Sequence, residues 1–412
     1  MQTSLADFIK NTHEGREADA ILRSCVHCGF CTATCPTYQL LGDELDGPRG
    51  RIYLMKQLLE TGKASAKTRV HLDRCLTCRS CETTCPSGVR YGHLLDISRQ
   101  IVSERVGRPP AQAFLRRTLA AVLPRPALFA LLLRIGRLLR PLLPQALAVK
   151  IPAASARAGA WPQPRHRRKM LALAGCVQPS LGPDINSAAA RVLDRLGISL
   201  IEAQDARCCG ALRYHLDFKE PGLDDMRRLI DAWWPHIERG AEAVVITASG
   251  CGAMVKDYGH ALAHDKAYAA KAARISALAK DIAEVVAAEL GALARLAPKD
   301  PSLGPGPRVA FHPPCTLQHG QKIKGVTERV LEAAGFELAP VPDSHLCCGS
   351  AGTYSILQPK LSQQLKRNKL AALASGMPEM ILSSNIACQS HLANGADVPV
   401  KHWIEALDER LP

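Results

Sequence analysis

Two runs of cysteine carry the chemistry most specific to this chain. Cys25-Val-His-Cys28-Gly-Phe-Cys31-Thr-Ala-Thr-Cys35-Pro36 and Cys75-Leu-Thr-Cys78-Arg-Ser-Cys81-Glu-Thr-Thr-Cys85-Pro86 share the pattern C-x2-C-x2-C-x3-C-P. Three thiolates this closely spaced can fold around one cubane and each reach a different iron. The fourth is followed by a proline that turns the chain away, and it reaches the other cluster of a two-cluster site. The spacing therefore predicts one [4Fe-4S] cluster on Cys25, Cys28, Cys31 and Cys85, and a second on Cys75, Cys78, Cys81 and Cys35. Zinc is the alternative, but it takes four ligands, usually as two separated pairs, and two complete runs with trailing prolines fit it poorly. His27, between two ligands, reads as a tuning or surface residue.

A second cysteine pattern recurs later in the chain. Cys176, Cys208, Cys209 and Cys251 form C-x31-CCG followed by a lone cysteine, and Cys315, Cys347, Cys348 and Cys388 repeat it. Most of the lone cysteines follow apolar runs (MLALAG, AVVITASG, RVAFHPP). That places them at the C-terminal ends of strands, where open α/β sheets build their sites. Adjacent cysteines do not readily bridge each other, but adjacent thiolates can bind neighbouring irons. Gly210 and Gly349 are expected to let the backbone approach a bulky cluster. Buried structural cysteines are the bland alternative, and the recurrence of four positions in two repeats speaks against it. His312, His319 and His391 lie near the second set and could assist, although single histidines are usually structural.

The elements that must position these residues follow from the rest of the pattern. RIYLMKQLLETG, between the two runs, reads as a helical insertion in a small cluster-binding module. From Arg168 onward short apolar runs alternate with helical stretches, which predicts parallel strands with crossover helices. ARVLDRLGISL (190–200) matches ERVLEAAGFEL (328–338), so this part is a duplicated unit. The expected fold class is α+β multidomain: a mostly helical two-cluster module, then a duplicated α/β cysteine-rich unit. The expected boundaries are 1–110 for the module, 111–168 for a basic connector and linker, 169–300 for the first unit and 301–412 for the second.

Composition bounds the answer. The chain has 412 residues, 47% of them hydrophobic and 22% charged, enough for two or three folded domains. No apolar run reaches the roughly 18 residues that span a bilayer. The N-terminus lacks a basic start followed by an apolar core, so the expectation is a cytoplasmic protein in a reducing compartment. Sixteen cysteines there are metal or redox ligands rather than disulfides. Aromatics are only 4%, which weakens a base-stacking role, and no nucleic-acid partner is expected.

The net charge of +14 is concentrated in one place. Residues 101–170 hold fourteen Lys/Arg and one acid, Glu104. Arg134, Arg137 and Arg140 form a basic stripe on a helix whose opposite face carries Leu128, Leu132, Ile135 and Leu139. Pro124, Pro126, Pro141 and Pro144 should end or kink such helices. The stripe suits ordinary packing, a protein partner or an anionic membrane surface. Ala153–Arg168 reads as a linker.

The repeated CCG unit resembles the cysteine-rich domains of heterodisulfide reductases, lactate-utilisation proteins and anaerobic glycerol-3-phosphate dehydrogenase subunits. The stretches SCVHCGFCTATCPTYQLLGDELDGPRGRIYL, CLTCRSCETTCPSGVRY, TASGCGAMVKDYG and PDSHLCCGSAGTY resemble the iron–sulfur subunits of bacterial glycolate dehydrogenases, also called glycolate oxidases. The resemblance covers nearly the whole chain. It implies partner subunits carrying FAD, oxidation of glycolate to glyoxylate on that flavin, and electrons leaving through this chain towards a membrane quinone. It also implies peripheral association with the inner face of the cytoplasmic membrane. Two [4Fe-4S] clusters are expected, with one or two further iron–sulfur clusters in the CCG units. The alternatives are the same wiring in a lactate or glycerol 3-phosphate complex, or a disulfide-cleaving cluster on Cys347, Cys348 and Cys388. Fuller versions of the unit end in C-x2-C and use five cysteines, whereas Ala248 and Asn385 occupy the extra position here.

The chain has no G-x-G-x-x-G between a strand and a helix and no H-E-x-x-H. Hydride removal from a 2-hydroxy acid needs a flavin or nicotinamide, so the chain alone is expected to be inactive towards glycolate.

Overall fold

The computed structural model describes residues 1–144, 151–152, 157–297 and 306–412. Residues 145–150 of the expected connector and 153–156 of the expected linker lie outside the described residues.

The N-terminal part is helical. Helices His13–Ser24, Pro48–Thr61, Ala66–Asp73 and Tyr91–Arg105 enclose a core that includes Leu22, Met55, Leu58, Leu59, Leu72, Leu94 and Leu95. Helix Pro48–Thr61 starts on a proline at its first position and stops at Gly62, whose φ of 70° closes the last turn. This is the expected helical insertion between the cysteine runs. The runs themselves end in short helical turns, Phe30–Ala33 and Ser80–Thr84, which begin just before Cys31 and Cys81.

Helices Pro110–Val122 and Pro126–Leu139 follow, bent 112° from one another. Both open on proline, as their sequence demands. The expected apolar face of the second helix is not its packed face. Leu133 is the buried residue, whereas Leu132, Ile135 and Leu139 face solvent together with Leu131, Leu138 and Leu142. Arg137 is drawn back to the fold by the carbonyls of Pro152 and Ser180, leaving Arg134 and Arg140 exposed.

Two four-stranded parallel sheets form the remainder. The first comprises β1 (Arg168–Ala172), β2 (Ile198–Glu202), β3 (Val244–Ile246) and β4 (Ala279–Asp281), in the order β2-β1-β3-β4. The second comprises β5 (Arg308–His312), β6 (Glu337–Leu338), β7 (Met380–Ser383) and β8 (Val400–His402), in the order β6-β5-β7-β8. In each sheet the strand order reverses between the first and third strands. The chain segments leaving those two strands diverge there and open a crevice, the usual place for a site in such sheets.

The two units exchange helices reciprocally. Helix Asp184–Arg195 of the first packs on Trp403–Arg410 of the second, and Val326–Ala333 of the second packs on Ile282–Ala288 of the first. One continuous core therefore runs through both sheets, with Ile185, Val192, Val286, Val330, Trp403 and Leu407 fully buried in it. Arg191 and Arg195 both reach Asp408 across this joint, at 2.8 and 2.6 Å.

Candidate metal centres

Cys25, Cys28, Cys31 and Cys85 line one recess, walled by Pro48, Ile52, Pro86 and Val89. The last cysteine of the second run thus stands with the first three of the other. Burial, followed by the neighbouring Cys25, Cys28 and Cys85 thiols, pushes the Cys31 thiol up to about 11. Thiols crowded in an apolar recess resist ionisation unless a cation shares the site, and metal coordination meets that requirement. Val26 and Phe30 beside this recess are 68% and 63% exposed.

Cys35 stands with Cys75, Cys78 and Cys81. Burial holds the Cys78 and Cys81 thiols well above their usual range, reinforced at Cys78 by Cys315, Cys35 and Cys75 and at Cys81 by Cys78, Cys75, Glu82 and Cys35. Arg51 is fully buried beside Cys75 and Cys35 and bonds the His71 carbonyl at 2.8 Å and Thr37 at 3.1 Å. Two donors point at Cys75 Sγ: Tyr91 Oη at 3.7 Å and the Thr77 N–H at 3.4 Å. Such donors tune a ligating sulfur.

In the first CCG unit Cys208 stands beside Cys176, and Cys209 beside Cys251; those neighbours and burial raise both CCG thiols. Cys176 follows β1, and Cys251 lies in helix Ser249–Lys256 after β3, so the pairs meet at the crevice between those strands. In the second unit Cys315 Sγ is 3.9 Å from Cys347 Sγ, and Cys348 lies between Cys347 and Cys388. The Gly349 N–H points at Cys347 Sγ at 3.4 Å, and Asn385 Nδ2 at Cys388 Sγ at 3.6 Å.

The glycines of the two CCG motifs also meet a packing constraint. Gly210 and Gly349 have φ of 79° and 86°. A Cβ on either would meet a helix carbonyl, that of Gly222 at 2.5 Å or that of Ser362 at 2.6 Å. They let the CCG turn press against the following helix.

The three histidines near the second set separate clearly. His319 bonds Thr83 at 2.8 Å and donates from Nε2 to the His345 carbonyl. His391 Nε2 reaches Ser362 Oγ at 3.3 Å. His312 is fully buried, and neither ring nitrogen has a hydrogen-bond partner.

One relationship has no signal in the sequence. Cys78 and Cys315 border a common apolar cluster built on Leu76, Cys347, Tyr354 and Leu365. The second cysteine run and the second CCG set therefore share a buried seam, and Tyr354 Oη closes it by donating to the Arg74 carbonyl at 3.0 Å. A second clasp joins the helical part to the first unit. Glu17 bonds His260 at 2.9 Å and His93 at 3.2 Å, and the other His93 nitrogen reaches Asp257 at 3.3 Å, beside Arg79. Only the tertiary fold brings these residues together.

The comparisons with known proteins agree with this geometry. Residues 21–89 match the 4Fe-4S dicluster domain, and residues 170–256 and 309–393 each match the cysteine-rich CCG domain. The fold and its thiol sets thus define an iron–sulfur protein with one dicluster module and two CCG domains. The chain is 56% identical over 411 residues to the glycolate oxidase iron–sulfur subunit of Escherichia coli, spanning 100% of this chain and 99% of that protein. It is 27% identical to the probable glycolate oxidase iron–sulfur subunit of Bacillus subtilis, over 94% of this chain and 92% of that one. Lactate utilization protein A of Geobacillus kaustophilus is 24% identical over 57% of the chain and 96% of that protein. The chain belongs to the family of glycolate oxidase iron–sulfur subunits.

Proposed function

We propose that this chain is the electron-transfer subunit of a glycolate-oxidising complex, taking electrons from flavin-bearing partner subunits and delivering them towards a membrane quinone. The observation that carries the reading is the buried seam between Cys78 and Cys315. Iron–sulfur clusters, when bound, supply one-electron transfer. The ligands proposed for them are Cys25, Cys28, Cys31 and Cys85; Cys75, Cys78, Cys81 and Cys35; and the two CCG sets.

The protein's own contribution is placement. It buries the inner sets away from water, supplies Arg51 as a fixed positive charge beside Cys35 and Cys75, and leaves Val26, Cys28 and Phe30 at the surface. That exposed apolar rim is the face proposed for exchange with a redox partner. Glycolate as the substrate rests on the likeness to the Escherichia coli protein.

Membrane association is proposed through helix Pro126–Leu139. Among the described residues no single helix is long and apolar enough to cross a membrane. Leu138 and Leu142 are nevertheless 79% and 81% exposed, close to the exposed Arg134 and Arg140. An apolar face flanked by arginines suits an anionic lipid surface.

The test uses the complex purified anaerobically with its partner subunits. Glycolate should reduce both flavin and iron–sulfur signals, and lactate and glycerol 3-phosphate should not. Flavin reduction with fully oxidised clusters would overturn the electron-transfer role. Cluster reduction by lactate or glycerol 3-phosphate in place of glycolate would reassign the substrate.

A further inference from the structure

The two CCG units share a backbone plan but not a chemistry. Cys176 and Cys315 follow equivalent strands, so the position of His312 in the second unit is that of Leu173 in the first. Leu173 is buried on the face that also holds Leu171 and Cys209. His312 stands on the matching face, with Ala310, Cys348 and Cys388. A second difference lies on the following helix, where buried Lys369 has the buried Leu229 as its counterpart. Lys369 donates to the carbonyls of Asp343 and Ser344, next to Cys347 and Cys348.

A ring nitrogen of His312 and the sulfurs of Cys348 and Cys388 all lie within 4.8 Å of one another, and all three residues are buried. Donor atoms this close can share one metal ion. Neither ring nitrogen is hydrogen-bonded, and an unpartnered polar group in the interior is destabilising. A metal accepts the ring's free lone pair and removes part of that cost. Ser383, register partner of His312 across the β5–β7 ladder, also has a buried hydroxyl without a partner.

We propose that His312 is a metal ligand of the second CCG centre, sharing one iron with Cys348 and Cys388. With Cys315 and Cys347 it makes a five-ligand Cys4His set, the imidazole supplying the fifth donor that Asn385 does not. The first unit, with Leu173 at this position, keeps an all-cysteine set. The proposal rests on the reading of the CCG units as iron–sulfur sites.

The full chain, purified anaerobically with its partner subunits, tests it through iron content and the electron spin-echo signal of ligating nitrogen. Wild type should show a strongly coupled nitrogen that disappears in His312→Leu, the residue the first unit carries, while the signals of the two N-terminal clusters stay unchanged. His312→Cys should keep the wild-type iron content without the nitrogen coupling. Cys348→Ser is the control for the underlying reading. If it leaves iron content unchanged, the second unit holds no iron and both readings fall. If Cys348→Ser loses iron but His312→Leu keeps wild-type iron and an unchanged spectrum, only the ligand role of His312 is overturned. Melting temperature reads out folding, and a misfolded His312→Leu leaves the decision to His312→Cys: a nitrogen coupling that persists there refutes the proposal.

Discussion

The side chains of Thr83 and His319 meet at 2.8 Å, tying the turn that carries Cys81 to the segment that follows Cys315. The second cysteine run is thereby held against the second CCG unit.

Cys78→Ser should remove a proposed ligand from the seam. The expected loss is about four irons per chain. In the complex, glycolate should still reduce the flavin, and electron delivery to quinone should fall to background. Stopped-flow reduction with parallel iron analysis checks this. Unchanged quinone reduction would show that the route bypasses Cys78.

Arg51→Met should lower the potential of the centre beside Cys35 and Cys75, because a positive charge favours the more negative, reduced state. It also leaves Asp46 short of one of its basic neighbours, with an expected loss of about 3 kcal/mol in stability. Redox-titrated EPR and denaturant unfolding separate the two effects. An unaltered potential would mean that solvent or other charges screen this site.

The clasp around His93 gives a pH dependence of defined sign. Although burial opposes the charge, hydrogen bonds to Asp257 and Glu17 raise His93 from 6.5 to about 9, against opposition from Arg79. Arg90 and His260 also face Glu17. His93 is therefore held charged in the folded protein. Its contribution, about 3 kcal/mol, is fully present below pH 6.5 and fades as the pH rises through about 9. Glu17 and Asp257 are held well below the usual carboxylate range, so their contribution is full above that range and fades as the pH falls through and below it. Unfolding of wild type and His93→Gln between pH 6 and 9.5 should show the difference in stability shrinking with pH. A constant difference would remove the charge from the explanation.

Gly349→Ala should cost about 2 kcal/mol or more, since the new methyl would combine a left-handed backbone with a 2.6 Å approach to the Ser362 carbonyl. Gly352→Ala is the control. Gly352 also has positive φ, 62°, but its Cβ would meet nothing within 4 Å. Equal melting temperatures for the two variants would mean that the close approach is irrelevant.

Leu138→Glu combined with Leu142→Glu should weaken binding to vesicles containing anionic lipid by at least about tenfold, through loss of buried apolar area at the interface. Flotation of the complex measures it. Unchanged flotation would assign this face to a protein partner.

The cysteine sets were the most legible part of the candidate site, because both runs and both CCG repeats keep a fixed spacing along the chain. The strands were legible for a different reason: parallel strands buried on both faces read as short apolar runs, as β1, β3, β5 and β7 do. The joints between parts were not legible. Thr83 with His319, Cys78 with Cys315 and Glu17 with His260 are far apart in the chain, and no local pattern marks either partner. The packing of Gly349 against the Ser362 carbonyl was not legible, because the chain alone does not reveal the helix behind it. His312 could be noticed among the histidines near the second set, but only the fold separates it from His319 and His391, by its unpartnered ring nitrogens and its place beside Cys348 and Cys388.

The reciprocal packing of Asp184–Arg195 on Trp403–Arg410 and of Val326–Ala333 on Ile282–Ala288 has the form of a two-fold interface between identical subunits. Here both halves belong to one polypeptide. Two separate copies of one gene product would carry the same side chain at both sites, so a substitution useful at one would be imposed on the other. Joining the copies end to end removes that obligation. A histidine can then stand in one half while leucine stays in the other, and a scaffold with two-fold form can carry electrons in one direction.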